Sequence, residues 1–293
     1  MLIVRLLADK DRLETALDAA SAQLARRGWP VAEAAMLEFC GDTLQILLPE
    51  GDRTAVVQIL DEAFGPCDLL MADHLITVPH LLVSDMDSTM IGQECIDELA
   101  DYAGVKPQIA AITERAMNGE IDFAAALAER VGLLADLPED CIAQCLAERI
   151  VPTPGARVLV RTLAARGTRS ILVTGGFHSF ADPVAEMIGF DRVVGNRLGA
   201  ADGRLSGTLT GAIVDSAAKR RVLEEEQARL GDGARSMALG DGANDIPMLQ
   251  AADYGIAYRA KPAARTAANG WVERGDLTAI LQLLDIARED WVD

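Results

Sequence analysis

From residue 81 onward, short apolar runs alternate with longer segments of helical periodicity. The apolar runs have the length of buried strands and lie at residues 81–83, 171–173, 193–194, 237–239 and 254–257. Strands that alternate with helices predict an α/β fold, with a Rossmann-like parallel sheet and helices on both faces. Active sites on such sheets lie beyond the carboxyl ends of the strands. Polar residues directly after these runs are therefore the candidates for chemistry.

The first 75 residues follow a different order. Their pattern predicts strand, helix, strand, strand, helix and strand at residues 2–7, 11–27, 31–39, 43–48, 52–64 and 68–71. This is the order of a split βαβ, or ferredoxin-like, α+β domain. We therefore expect two domains, at residues 1–75 and 80–293, joined by a connector that ends at Pro79.

The segment after the first strand of the second domain is long for a simple crossover. Between residue 92 and about residue 150 the pattern is wholly helical. We interpret residues 94–150, approximately, as a helical cap inserted over the carboxyl edge of the sheet. Residues 203–211 alternate polar and apolar positions, as expected for a small hairpin.

The charge and composition of the chain limit the kinds of molecule that it is expected to bind. The chain has 293 residues and a formal net charge of −18, which argues against a nucleic-acid or anionic-membrane surface. No apolar run reaches the roughly 18 residues of a membrane span, and the N-terminus lacks signal-peptide features, so we expect a cytoplasmic protein. The five cysteines show no CxxC spacing and are expected to be reduced thiols. An anionic substrate would need positive charge placed locally.

Two carboxylates separated by one residue follow the run at residues 81–83. Asp85 and Asp87 lie within residues 85–89, and their repulsion must be offset by a cation or by a proton on one of them. This suits an ionised nucleophile beside a protonated acid. Mg²⁺, which prefers oxygen ligands, would supply the cation. Alone, the motif is also compatible with an ordinary acidic turn.

A glycine pair follows the run at residues 171–173. Thr174 offers a hydroxyl, and Gly175 and Gly176 let the backbone approach an anion so that N–H groups can point at phosphate oxygens. Further along, Lys219 is a candidate cation for neutralising a phosphoryl group. Taken alone, the glycine pair is more typical of an ordinary turn between a strand and a helix, and a single lysine is more typical of the protein surface.

A glycine-rich turn with two carboxylates follows the run at residues 237–239. Asp241 and Asp245 bracket Asn244 in this turn, and their carboxylates could share a cation with Asp85. An alternative is a turn that opens a helix and supplies its cap. Polar clusters at several successive strand ends make a chance arrangement improbable.

Together these groups resemble the motifs of the haloacid dehalogenase superfamily, and more narrowly the branch of it that acts on phosphoserine. The narrower resemblance covers roughly residues 80–290, including Glu94 and the cap segment 119–130. Thr174 stands where this branch more often has Ser, which keeps the hydroxyl. By topology and position, the N-terminal part resembles the ACT-like domain that precedes many bacterial members.

The resemblance implies a Mg²⁺-dependent phosphatase. It makes Asp85 the nucleophile that forms an aspartyl-phosphate, and Asp87 the acid that protonates the leaving oxygen and then activates water. It implies a Mg²⁺ ion held by the carboxylates of Asp85 and Asp241 and by the backbone carbonyl of Asp87, with Asp245 in a supporting position.

The resemblance also assigns the substrate contacts. It implies that the phosphoryl oxygens are held by Thr174, Gly175, Lys219 and Asn244. On the cap side, it implies that Arg130 pairs with the carboxylate and Glu94 with the ammonium group of O-phosphoserine. Phe123 either walls this pocket or belongs to the core of the cap.

Other functions remain open from the sequence. The same motifs would serve a phosphatase of another small phosphate ester, such as phosphohomoserine or phosphothreonine. A non-catalytic amino-acid sensor built on the ACT-like domain is a different class, although Asp85, Asp87, Lys219 and Asp241 are all present. A Rossmann oxidoreductase is disfavoured because no GxGxxG follows the first strand of the sheet. ACT-like sheets often pair side by side, so a homodimer is also expected.

Overall fold

The computed structural model describes residues 1–117 and 120–293. Gly119, the first residue of the segment 119–130 that contributes to the family resemblance, lies outside the described residues. The strands are β1 (Leu2–Leu7), β2 (Glu33–Met36), β3 (Leu44–Leu48), β4 (Asp68–Ala72), β5 (Leu81–Ser84), β6 (Arg169–Phe177), β7 (Arg192–Ala201), β8 (Arg204–Thr210), β9 (Ser236–Gly240), β10 (Tyr254–Tyr258) and β11 (Gly270–Val272). Across the described ranges these eleven strands form one sheet in the order β2-β3-β1-β4-β11-β10-β9-β5-β6-β7-β8.

The helices flank the two faces of this sheet or, in one stretch of the chain, lie beyond the carboxyl ends of its parallel strands. They are α1 (Leu13–Arg26), α2 (Arg53–Phe64), α3 (Cys95–Tyr102), α4 (Lys106–Met117), α5 (Phe123–Gly132), α6 (Asp140–Arg149), α7 (Ala156–Ala165), α8 (His178–Ile188), α9 (Ser216–Leu230), α10 (Ile246–Ala251), α11 (Pro262–Ala267) and α12 (Ala279–Leu283). Within the described part of the chain, no helix combines the length and apolar character needed to span a bilayer.

The first four strands are antiparallel, and α1 and α2 pack against them. Their spatial order, β2-β3-β1-β4, is the ferredoxin-like order expected from the sequence. Strand β2 is shorter than the predicted 31–39 and is exposed along its length. It lies at the edge of the sheet and pairs only with β3, so little burial favours a longer strand.

The strands from β11 to β7 are parallel, which confirms the predicted α/β fold. Successive residues of each strand point to opposite faces. Leu82 packs with the cluster under α7 and α8, whereas Leu81 and Val83 pack with the cluster under α9 and α10. The almost continuous apolar character of these strands therefore reflects burial on both faces.

Strand β11 was not predicted, and it joins the two parts of the sheet. It runs parallel to β10 and antiparallel to β4, pairing Gly270 with Leu70 and Trp271 with Leu69. A Cβ atom at Gly270 would lie 2.2 Å from the backbone oxygen of Leu69, so this close approach requires glycine. The indole of Trp271 donates to the carbonyl of Cys67 at 2.8 Å. Because the sheet is continuous, the division into domains at residues 75–80 remains a prediction.

Four helices, α3 to α6, lie between β5 and α7, and a hairpin supports their far end. The hairpin is made by the end of β7 and by β8, so residues 203–211 form only its second strand. Three backbone hydrogen bonds connect residues 136–139 to β8 and the turn before it. Leu205 accepts from Asp136 N–H and donates to Leu137 O, both at 2.9 Å. Glu139 N–H donates to Gly203 O at 3.0 Å. The corner between α5 and α6 is thereby fixed to the sheet.

A buried carboxylate fastens α9 to the amino ends of β6 and β7. Glu226 is 1 % exposed, and its Oε2 lies 2.8 Å from Arg169 Nε; its Oε1 also pairs with Arg192 and Arg229. Burial acts to raise the pKa of Glu226, but the three guanidinium groups outweigh burial and lower it. This network positions the helix that carries Lys219.

We expect Glu226→Gln to lower the free energy of unfolding by about 2 kcal/mol at pH 7, since it weakens charge-assisted hydrogen bonds around a buried group. The folded-state pKa lies below the unfolded value of about 4.3. The contribution of Glu226 is therefore present above that value and is lost as the pH falls through the folded-state pKa.

Urea denaturation of Glu226→Gln and of the unmodified protein between pH 3 and pH 8 measures this effect. Glu224→Gln, on the same helix, is the control, because Glu224 is an exposed partner of Arg220 and should contribute little. A difference in stability that does not shrink in acid would contradict the expected role of the Glu226 charge.

Candidate active site

The predicted site residues meet at the carboxyl edge of the parallel strands. Strand β5 lies between β9 and β6, so Asp85 after β5 is flanked by Asp241 after β9 and by Thr174 near the end of β6. Lys219 approaches from α9. Between this edge and the helices α3 to α5 lies a cavity of about 410 Å³.

The cavity brings together all of the predicted site residues except one. Its lining includes Asp85, Asp87, Glu94, Arg130, Thr174, Gly175, Lys219, Asp241 and Asn244. The exception is Asp245, which is fully buried and lies behind this surface.

The buried side chain of Lys219 lies at the centre of the site. Its Nζ is 2.7 Å from Asp85 Oδ1 and 2.8 Å from Asp245 Oδ1. Burial acts to lower the pKa of Lys219, but the two carboxylates outweigh burial and raise it, so the amine stays charged. The other oxygen of Asp245 accepts hydrogen bonds from the N–H groups of Asp241 and Gly242 at 3.2 and 3.0 Å. Asp245 therefore fixes both the lysine and the turn after β9.

Three carboxylates converge beside this lysine. One oxygen of each of Asp85, Asp241 and Asp245 lies within 4.8 Å of the others. Burial and the charge of Asp245 raise the pKa of Asp85, against the opposing effect of Lys219. Burial and Asp245 also raise the pKa of Asp241 to about 6. The cluster carries more negative charge than one lysine offsets, and its donors are all hard oxygens, so it fits a divalent cation such as Mg²⁺.

Asp87 is set apart from this carboxylate cluster. It is partly buried, and its Oδ1 accepts a hydrogen bond from Cys95 N–H at 3.3 Å. Burial, together with the charge of Glu94, raises the pKa of Asp87 to about 7. Asp85 and Asp87 thus differ in their contacts: Asp85 contacts the buried ammonium group of Lys219, whereas Asp87 accepts a hydrogen bond from a backbone N–H.

The glycine pair belongs to the end of β6 rather than to a turn after it. The strand continues to Phe177 with an irregular register, and α8 begins at the next residue. Thr174 Oγ1 accepts a hydrogen bond from Gly176 N–H at 2.8 Å. A Cβ atom at Gly176 would lie 3.0 Å from Asp87 Oδ2 and one at Gly175 would lie 3.3 Å from Phe123 Cζ, so the absent side chains leave room in the cavity.

The opposite wall of the cavity comes from the helices between β5 and α7. Glu94, at the start of α3, is exposed and accepts a hydrogen bond from Ser88 Oγ at 2.8 Å. Arg130, on α5, is partly buried, and its Nε donates to Ala126 O at 3.3 Å. Phe123 lines the cavity and is 41 % exposed, so it is a wall residue and not part of a core.

The cavity lining also includes residues outside the predicted site. Lys261 follows β10, and its N–H donates to Asp241 O at 2.9 Å. The strand-end rule applied to residues 254–257 would have found it. The apolar lining could not have been recognised, because it resembles core positions of the helices; it includes Ile96, Ala126, Leu127 and Val214.

The fold and the site together define an α/β protein with an acidic centre at the carboxyl edge of its parallel sheet. Residues 82–250 match the family model of the haloacid dehalogenase-like hydrolases. The match covers more than half of the chain, which therefore belongs to this family.

Similar proteins are phosphoserine phosphatases. The chain is 44% identical over 211 residues to the phosphoserine phosphatase of Streptomyces coelicolor, a match that covers 72% of this chain and 51% of the relative. It is 44% identical over 209 residues to the phosphoserine phosphatase of Streptococcus thermophilus, a match that covers 71% of this chain and 97% of the relative. The crystal structure of a probable phosphoserine phosphatase from Vibrio cholerae superposes with a TM-score of 0.74 at 29% identity, covering 99% of this chain and 88% of that one.

The similarity does not extend over the whole of every relative. The matched region spans about half to three fifths of the length of several curated relatives, those of Streptomyces coelicolor, Archaeoglobus fulgidus and Mycobacterium tuberculosis.

We expect Lys219→Met to destabilise the protein by about 3–5 kcal/mol in metal-free buffer, because it leaves Asp85 and Asp245 buried without a cation. Chemical denaturation in the presence of EDTA measures the change. Lys106→Met is the control, since Lys106 is exposed on α4. A cost no larger than that of the control would show that the lysine does not hold the two carboxylates together.

Proposed function

We propose that the protein is a Mg²⁺-dependent phosphatase that hydrolyses O-phospho-L-serine to L-serine and phosphate. The observation that carries this proposal is that the Asp85–Lys219 pair shares one cavity with Glu94 and Arg130, which lie on its opposite wall. The first pair supplies phosphoryl-transfer chemistry, and the second pair matches the ammonium and carboxylate groups of an amino acid. The similarity to phosphoserine phosphatases supports the same substrate.

Asp85 is the nucleophile in this proposal. Its carboxylate forms a bond to phosphorus while the bond from phosphorus to the serine oxygen breaks, which leaves an aspartyl-phosphate. A covalent intermediate divides one difficult displacement into two easier ones. Lys219, 2.7 Å from Asp85 Oδ1, orients the attacking carboxylate and offsets negative charge that develops on the phosphoryl group.

Asp87 moves the protons. In the first step its carboxyl gives a proton to the departing serine oxygen. In the second step the carboxylate takes a proton from the water that attacks the aspartyl-phosphate, which releases phosphate and regenerates Asp85. A pKa of about 7 suits both roles, because general acid–base groups work best near the operating pH.

The carboxylates of Asp85 and Asp241 would hold Mg²⁺, with the backbone carbonyl of Asp87 as a further ligand and Asp245 in a supporting position beside them. Such an ion would supply positive charge that screens the phosphate dianion from the carboxylates around it. Thr174, the N–H of Gly175 and Asn244 hold the phosphoryl oxygens; Asn244 Nδ2 lies 3.5 Å from Asp85 Oδ2, next to the reacting carboxylate.

Glu94 and Arg130 select the substrate. A guanidinium group can bind a carboxylate through two parallel hydrogen bonds, so Arg130 suits the carboxylate of serine. The exposed carboxylate of Glu94 suits its ammonium group. Both residues lie on the helices between β5 and α7, whereas the reacting residues lie at the sheet edge. Selection and chemistry therefore come from opposite walls of the cavity.

We further propose that residues 1–75 act as a separate ACT-like domain and that residues 94–150, approximately, act as the cap. Strand β2, which pairs on one side only, supports a homodimer formed through this edge of the sheet. The net charge of −18 supports a cytoplasmic enzyme of a small-molecule substrate, with no nucleic-acid or membrane partner.

Phosphate release from a panel of small esters tests the function. The panel holds L-phosphoserine, D-phosphoserine, phosphothreonine, phosphohomoserine and p-nitrophenyl phosphate, each with Mg²⁺ and with EDTA. We expect a preference for L-phosphoserine, loss of activity in EDTA, and a loss of at least about a thousandfold in kcat for Asp85→Asn.

Each alternative has its own outcome. Similar rates across the panel would keep the chemistry and overturn the substrate assignment. Preference for phosphothreonine or phosphohomoserine would identify another ester as the substrate. No phosphate release from any ester would favour the amino-acid sensor.

We expect Arg130→Ala to lower kcat/KM for L-phosphoserine by about a hundredfold, because a charge-assisted bidentate contact is lost. Hydrolysis of p-nitrophenyl phosphate, which has no carboxylate, should change less than about threefold. Steady-state kinetics on both esters measure the two effects. Arg115→Ala is the control, because Arg115 lies outside the cavity lining and pairs with Glu129. Equal losses on both esters would contradict carboxylate recognition by Arg130.

A further inference from the structure

The loop after β5 contains a residue whose backbone is unusual. Ser88 has a φ of 55°, in the left-handed region that non-glycine residues adopt rarely. Glycine would occupy this conformation without steric cost. A serine here therefore indicates that its side chain is used.

The hydroxyl of Ser88 holds the carboxylate of Glu94. Ser88 Oγ donates to Glu94 Oε1 at 2.8 Å. Glu94 is exposed, and its charge also acts on Arg130 across the cavity. A long exposed carboxylate samples many rotamers, so the hydrogen bond from Ser88 helps to determine where its charge lies.

The same short loop also carries the proposed acid. Asp87 Oδ1 accepts from Cys95 N–H at 3.3 Å, and Ser88 N–H donates to Gln93 O at 3.3 Å. Two adjacent loop residues are thus tied to the first turn of α3 and to the residue before Glu94. The position of Glu94 and that of the reacting loop are set together.

We propose that Ser88 is a positioning residue that holds Glu94 where it receives the ammonium group of the substrate and links that contact to the loop of Asp85 and Asp87. This inference rests on the proposed function and deepens it, because it identifies how the ammonium group is recognised. Ser88 itself contacts Glu94 and takes no part in the chemistry.

Two substitutions of Ser88 distinguish the effect of its hydroxyl from the effect of its backbone conformation. Ser88→Ala removes the hydroxyl and keeps the strained conformation, whereas Ser88→Gly removes the hydroxyl and relieves the strain. We expect both to lower kcat/KM for L-phosphoserine by about tenfold, the effect of one hydrogen bond to a charged group. Both should leave p-nitrophenyl phosphate, which lacks an ammonium group, within about twofold. Ser88→Gly should be at least as stable as the unmodified protein.

A double-mutant cycle tests the link to Glu94. Glu94→Ala alone should reduce phosphoserine turnover strongly, and adding Ser88→Ala to it should cause little further loss, since the hydroxyl then has no carboxylate to hold. Independent losses that multiply would overturn the proposal.

The two esters also distinguish failure of this inference from failure of the proposed function. If the unmodified protein prefers L-phosphoserine but both Ser88 variants lose activity equally on the two esters, Ser88 has a general structural role and the inference is overturned. Full activity of Ser88→Gly on L-phosphoserine would overturn it as well, because the backbone alone would then matter. If the unmodified protein shows no preference for L-phosphoserine, the proposed function fails first and the inference fails with it.

Discussion

Lys219 carries a charge inside the protein because two carboxylates, Asp85 and Asp245, lie within 2.8 Å of its amine. A buried charge is tolerated only when it is paired and hydrogen bonded. The arrangement needs α9 to lie against β6 and β7, where Glu226 holds it, and needs the turn after β9 to present Asp245. Helix packing and the geometry of the acidic centre thus depend on each other.

The parallel sheet explains why the reacting groups are so close. Adjacent parallel strands end at the same edge of the sheet, so the strand order alone brings together residues that are far apart in the sequence. The groups that would recognise an amino acid come instead from helices inserted after the first of these strands. Because those helices are fixed to the sheet by the hairpin of β7 and β8, they face the reacting edge at a defined distance.

The polar residues at the strand ends could be predicted from the sequence, because each short apolar run marks a strand and its last residue marks where the strand ends. Asp85, Thr174 and Asp241 were predicted in this way, and they share one cavity with Lys219, which lies on α9. The contact of Ser88 with Glu94 could not be predicted, because nothing in the sequence indicates a left-handed serine. Strand β11 has three residues, too few for a periodic pattern, and its place between β4 and β10 depends on close packing at Gly270.

An acidic protein can bind an anionic ester because local charge, not net charge, determines the field inside a cavity. The net charge of −18 is spread over a surface where water and salt screen it. In the cavity, Lys219 and Arg130 lie on opposite walls and Lys261 lies beside Asp241, so three positive groups are placed where the proposed ester would bind. The carboxylates there are offset in part by Lys219, and a bound divalent cation would offset them further. Repulsion from the distant acidic surface then only slows the approach of the substrate, while the contacts made inside decide whether it stays.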